Sequence, residues 1–109
     1  MTPAAFAKLA LSMEGAVEGS HHGTTDFRAD GKIFATLGYP DAAHAMVKLT
    51  PDQQRMLVAA EPAMFVPVKG TWGLRGATHV RLSAVDPTTA RSALAMARQN
   101  IDAAKRRKK

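Results

Sequence analysis

A chain of 109 residues, 46% of them hydrophobic, makes one domain with enough apolar content for a core and no room for a second. It has no cysteine, which excludes disulfides, thiolate catalysis and thiolate metal sites and suits a cytoplasmic protein. The net charge of +6 is uneven: residues 1–61 carry −2, residues 62–104 carry +3 and residues 105–109 add +5, so basicity gathers toward the carboxyl end.

Three helix starts are legible because a capping residue stands directly before a proline, in Thr2-Pro3, Thr50-Pro51 and Asp86-Pro87. The capping oxygen accepts from the first turn, and proline at the first helical position loses nothing by lacking an N–H. From Pro3, the apolar positions Phe6, Leu9, Ala10, Met13 and Val17 fall at helical spacing, which predicts a first helix ending near Glu14-Gly15. Lys8 and Glu14 interrupt that apolar stretch and no basic leader precedes it, so neither a signal peptide nor a membrane span is expected. A loop with Glu18, His21 and His22 leads into a strand over Thr24 to Arg28. Asp30-Gly31 suits a tight hairpin turn, and Lys32 to Gly38 is the return strand.

A third strand, His44 to Leu49, turns Ala45, Val47 and Leu49 one way and His44, Met46 and Lys48 the other. Gln53 completes a capping box after Thr50, with Met56, Leu57 and Ala60 on one side of a short second helix. Met64 to Val68 is a strand confined to an edge or bulge by Pro67. Gly70, Gly73 and Gly76 then shape a loop around the single tryptophan. Thr78 to Val85 alternates, with Val80 and Leu82 inward and His79, Arg81 and Ser83 outward. Ala90, Leu94, Ala97, Ile101 and Ala104 mark the buried stripe of a long third helix. The expected fold is therefore α+β, two layers with a mainly antiparallel five-stranded sheet in the order α-β-β-β-α-β-β-α. It divides into a domain over residues 1–104 and a basic tail over residues 105–109. Helices cover one sheet face, leaving Arg28, Phe34, His44, Met46, Lys48, His79 and Arg81 as candidates for the other, with Phe34 alternatively in the core.

The blocks Asp26-Phe27-Arg28, Asp30-Gly31-Lys32-Ile33-Phe34-Ala35, Val47-Lys48-Leu49, Phe65-Val66-Pro67, Gly70-Thr71-Trp72-Gly73 and Val80-Arg81-Leu82 follow one another in an order that resembles the MmcQ/YjbR family of small bacterial proteins. The similarity runs from about Phe6 into the last helix. It implies a YjbR-like two-layer α+β domain related in shape to secretion chaperones, and DNA binding through a double-wing arrangement of hairpins. It carries no catalytic set onto these positions. Relatives also resemble a pattern with a second tryptophan where this chain has Ala77.

Glu18, His21 and His22, joined by His44 or His79, are the nearest approach to a metal cluster, but a solvated loop accounts for them better and no metal site is expected. No nucleophile elbow, phosphate-cradling loop or dinucleotide fingerprint is present, so no catalytic residue and no cofactor are expected. A lone tryptophan in a small domain usually plugs the core, and Trp72 is expected there; the alternative is stacking on a base while Lys69 and Arg75 reach phosphates. Arg91, Arg98 and Lys105 recur every seven residues on one helix face and continue into Arg106, Arg107, Lys108 and Lys109 as a cationic arm. With Arg81, these residues make up the candidate nucleic-acid contacts. The resulting expectation is a non-enzymatic cytoplasmic domain that binds DNA weakly and without strong sequence preference. The alternative is a protein-interaction or ligand-binding module using the open sheet face or the edge near Pro67, including as a homodimer.

Overall fold

The computed structural model describes residues 1–107. The chain runs α1 (Pro3–Leu11), β1 (Val17–His21), β2 (Thr24–Ala29), β3 (Lys32–Leu37), β4 (His44–Lys48), α2 (Pro51–Ala60), β5 (Phe65–Pro67), α3 (Thr71–Leu74), β6 (Ala77–Arg81) and α4 (Pro87–Arg107). The three capped starts are all present. Thr2 accepts from the Ala5 N–H, Thr50 and Gln53 form the reciprocal capping box, and Asp86 Oδ1 accepts from the Thr89 N–H at 2.7 Å.

The six strands form one antiparallel sheet in the order β1-β2-β3-β4-β6-β5. The sixth strand is β1, which replaces the expected loop over Glu18 to His21. Pairing with β2 recruits this segment despite its exposed, weakly apolar sequence, so Val17 begins a strand instead of extending α1. The Gly-rich loop likewise contains a helix, the single turn α3, which makes four helices among the described residues in place of the expected three.

One sheet face, with Phe27, Ala35, Ala45, Val47, Val80 and Phe65, packs with Phe6 and Ala10 of α1 and with Ala90, Leu94, Ala97 and Ile101 of α4 into the core. Phe34 joins that core, settling the ambiguity of β3. The β2–β3 register slips between Phe27 and Arg28, so Ala35 faces Phe27 while Ile33 faces Arg28, and Phe34 is the residue between. Arg28, His44, Met46, Lys48 and His79 lie on the opposite face and are all partly exposed, and Arg81 there is exposed.

The inward face of α2 differs from expectation. Met56 is exposed, and the buried residue is Gln54, whose Nε2 donates to the carbonyls of Gly73 at 3.0 Å and Ala77 at 2.9 Å. A buried amide serves better than a methionine here because α3 and the start of β6 present backbone carbonyls that need donors. No helix among the described residues is long and apolar enough to cross a membrane.

Candidate nucleic-acid interface

Pairing between β3 and β4 runs from Leu37↔Ala45 to Ala35↔Val47 and then stops, while β3 continues back to Lys32 and the hairpin turn. Beyond that point lies an open depression of about 750 Å³, walled by the carboxyl-terminal half of α4 and by the segment from Lys48 to Pro51. Arg28 and Lys32 reach it from the β2–β3 hairpin, Lys48 from β4, Arg75 from the end of α3 and Arg107 from the last turn of α4. The described residues lining it include no carboxylate. Five cations from four parts of the chain thus surround one concavity, and none of Lys32, Lys48, Arg75 or Arg107 has an ion-pair partner among the described residues.

Trp72 stands at the rim and is 60% exposed, so it does not plug the core. The reason lies in its neighbour. Gly73 is buried so tightly that an added Cβ would sit 1.6 Å from the Val68 carbonyl oxygen, and a one-turn helix that turns this glycine inward turns the preceding residue outward. Lys48 Nζ lies 5.3 Å from the centre of the indole ring, a cation–π distance. Burial holds the Lys48 ammonium below the ordinary lysine pKa, so this lysine has given up part of its hydration before any ligand arrives.

The floor is braced by polar side chains. Asn100 Nδ2 donates to the Lys48 carbonyl at 3.2 Å and to Gln53 Oε1 at 2.9 Å, tying α4 to the β4–α2 junction. Gly76 has a positive φ of 111°, and a Cβ there would meet the Leu49 carbonyl oxygen at 2.0 Å. Only glycine allows the two backbones to approach so closely.

Arg28 is held in place from behind. Its Nε donates to Asp26 Oδ1 at 2.7 Å and one Nη to Asp26 Oδ2 at 3.0 Å, and Asp26 is fully buried. His21 Nδ1 lies 2.7 Å from the same Oδ2. The Arg28 hydrogen bond is the main cause holding the Asp26 carboxyl below its ordinary value, against the opposing effect of burial. Gly19 leaves room for the pair, since a Cβ would come within 2.9 Å of Asp26 Oδ1.

Of the contacts expected from sequence, Trp72, Arg75 and Arg107 meet here. Lys69 and Arg106 are exposed but do not line the depression, and Arg81 is at the far end of β6, opposite His44. Arg91 lies sixteen residues before Arg107, about 24 Å along the helix. Arg98 is not a free cation: its side chain is 12% exposed, its Nε donates to the Glu14 carbonyl at 2.7 Å and its Nη1 to Asp102 at 3.2 Å. Lys105 pairs with Asp30 at 2.7 Å, on the hairpin turn beside the rim. Lys105, Arg106 and Arg107 are helical, continuous with the rest of α4, and Lys108 and Lys109 lie outside the described residues.

Arg28, Lys32 and Lys48 are the contacts the sequence did not join to this site. Their one available signal was a cation at each end of the strands beside Asp30-Gly31 and Thr50-Pro51. Strand alternation sends Glu18 and His21 to opposite faces of β1, while His21 is bound to Asp26. Among the described residues no group of three or more His, Cys, Asp or Glu side chains could hold a metal ion.

A family model, YjbR, matches residues 11–100, most of the chain, and the chain belongs to that family. No curated protein and no solved structure matches it.

Proposed function

We propose that this member of the YjbR family is a cytoplasmic, non-enzymatic protein that binds DNA through the depression between α4, β4 and the β2–β3 hairpin. The observation carrying this reading is the ring of Arg28, Lys32, Lys48, Arg75 and Arg107 around a concavity whose described lining holds no carboxylate. Four of the five charges, Lys32, Lys48, Arg75 and Arg107, have no carboxylate partner among the described residues, which raises the local concentration of a polyanion and supplies the counterion release that drives phosphate binding. Counterion release is indifferent to base sequence, which fits weak affinity with little sequence preference.

A protein partner or second copy at a sheet edge has less support. β5 is three residues long and Pro67 removes a donor from it, while the other edge, β1, has Gly19 at its centre.

The test is an affinity titration against DNA at several salt concentrations, comparing the wild type with Lys48→Ala/Arg75→Ala. The expected result is a linear fall of log affinity with log salt, with a slope smaller in the variant by roughly 0.7–0.9 for each lost phosphate contact. An identical slope and affinity in the two proteins would overturn the assignment.

A further inference from the structure

We infer that the depression seats an unpaired nucleotide of a single strand, its base against the Trp72 indole and its flanking phosphates on the surrounding cations. This rests on the nucleic-acid reading above and adds strandedness to it.

Three features separate a single-strand seat from a surface that merely attracts phosphate. The first is the indole, which Gly73 turns outward and which keeps 60% of its surface exposed at the edge of the cationic ring. A base in a duplex is already stacked on both faces and meets an indole only after leaving the helix, at a cost of a few kcal/mol. An unpaired base stacks without that cost, and any of the four bases does so, because each has a π-face.

The second feature is the apolar lining between the cations. Ile33 and Ala104 are partly exposed beside Leu49 and Ile101, an area that suits the flat face of a base and adds nothing to phosphate binding.

The third is that the cations are pre-placed. Arg28 is clamped through two of its nitrogens to a buried carboxylate, leaving its remaining Nη without a partner among the described residues, and Lys48 is held over the indole. Fixing these groups in advance lowers the ordering cost of gripping a flexible strand. The cations also line one depression of about 750 Å³, a space on the scale of one or two nucleotides.

Trp72 is the chain's only tryptophan, so its emission reports this contact alone. The experiment titrates the full chain with a thymidine 12-mer, a hairpin duplex of equal length and heparin, following both affinity and tryptophan emission. The 12-mer is expected to quench the emission and to bind about tenfold more tightly than the duplex, which leaves the emission nearly unchanged. Trp72→Ala should weaken the 12-mer by about tenfold or more while leaving heparin unaffected, and Trp72→Phe should restore most of the loss. Equal binding of strand and duplex without quenching, still dependent on Lys48 and Arg75, would overturn the inference and leave the DNA-binding proposal standing. Equal losses for the 12-mer and heparin on Trp72→Ala would also overturn it, because the indole would then act only by placing Lys48. Failure of every probe to bind would remove both proposals.

Discussion

The two ends of β4 show how one strand face carries two kinds of polar surface. At the carboxyl end, Lys48 lies over the Trp72 indole and is joined by Arg28, paired with Asp26, and by Lys32, Arg75 and Arg107, which have no carboxylate partner among the described residues. About 13 Å away at the amino end, His44 Nδ1 lies 2.8 Å from Asp41 Oδ1, and its ring packs edge-on against His79, over which Tyr39 stacks. The histidine end is nearly self-contained. His79 Nδ1 is buried without a partner, and burial, with the neighbouring His44, holds the His79 imidazole below its ordinary pKa. An end that sets the Asp41 carboxylate against its histidines pulls less on an anion than converging cations most of which have no counter-charge. Exposure alone therefore does not identify a binding face; what matters is whether its charges are already matched.

The largest expected contrast between the two ends is steric. Gly76, beneath the lysine end, has φ 111° and a Cβ position 2.0 Å from the Leu49 carbonyl oxygen; Gly38, beside the histidine end, has φ 94° and open space around it. Gly76→Ala should cost more than about 3 kcal/mol, because strained backbone adds to a clash that only movement of β4 can relieve. Gly38→Ala has the strain alone and should cost about 1–2 kcal/mol. Urea melts of the two variants measure the difference, and equal losses would mean that the backbone packing beneath the depression is looser than described.

Binding should divide the same way. Lys48→Ala/Arg75→Ala should lower DNA affinity by about tenfold to a hundredfold near physiological salt, whereas His44→Ala should stay within about twofold of wild type. A His44→Ala loss as large as that of the double variant would move the binding surface to the other end of the strand.

Much of this fold was legible because local chemistry decides it. Proline-capped starts need no distant partner, and Ala45, Val47 and Val80 alternate as half-buried strands must. The first strand was not legible, because Val17 to His21 has neither alternation nor strong β-propensity and owes its state to β2. The site was legible only in fragments for a related reason. Trp72 and Arg75 stood out within one glycine-rich segment, but Arg28, Lys32, Lys48 and Arg107 join them only through strand pairing and the docking of α4. The seven-residue spacing of Arg91, Arg98 and Lys105 correctly described a helix and misdescribed its charge, since Glu14, Asp102 and Asp30 engage two of the three cations.

A buried carboxylate behind the lysine end gives that end a dependence on acid. Asp26, held below its ordinary 3.8 chiefly by Arg28, is charged in both folded and unfolded chains at neutral pH, where its full stabilisation is present. As pH falls below about 4 the unfolded chain takes up the proton first, so stability drops until the folded carboxyl also titrates. Thermal melts from pH 7 to pH 2 should show this loss in the wild type, and Asp26→Asn should be less stable at pH 7 and flatter below pH 4. Parallel curves would place the acid-sensitive carboxylate elsewhere.

The smallest effects concern the rim, and there the sign is more informative than the size. Lys105 and Asp30 form an ion pair with both side chains about half exposed, so removing either should barely change stability. Their effects on DNA affinity should nevertheless be opposite. Lys105→Ala releases an unpaired carboxylate next to the depression and should weaken binding about twofold; Asp30→Ala removes a negative charge, frees the ammonium for phosphate and should strengthen it about twofold. Both shifts should fade as salt rises, because charges at that exposure are screened within a Debye length of about 8–10 Å. Measured at low salt, changes of the same sign would show that the hairpin turn acts on binding through its shape, and that the charge beside the rim is not what the strand senses.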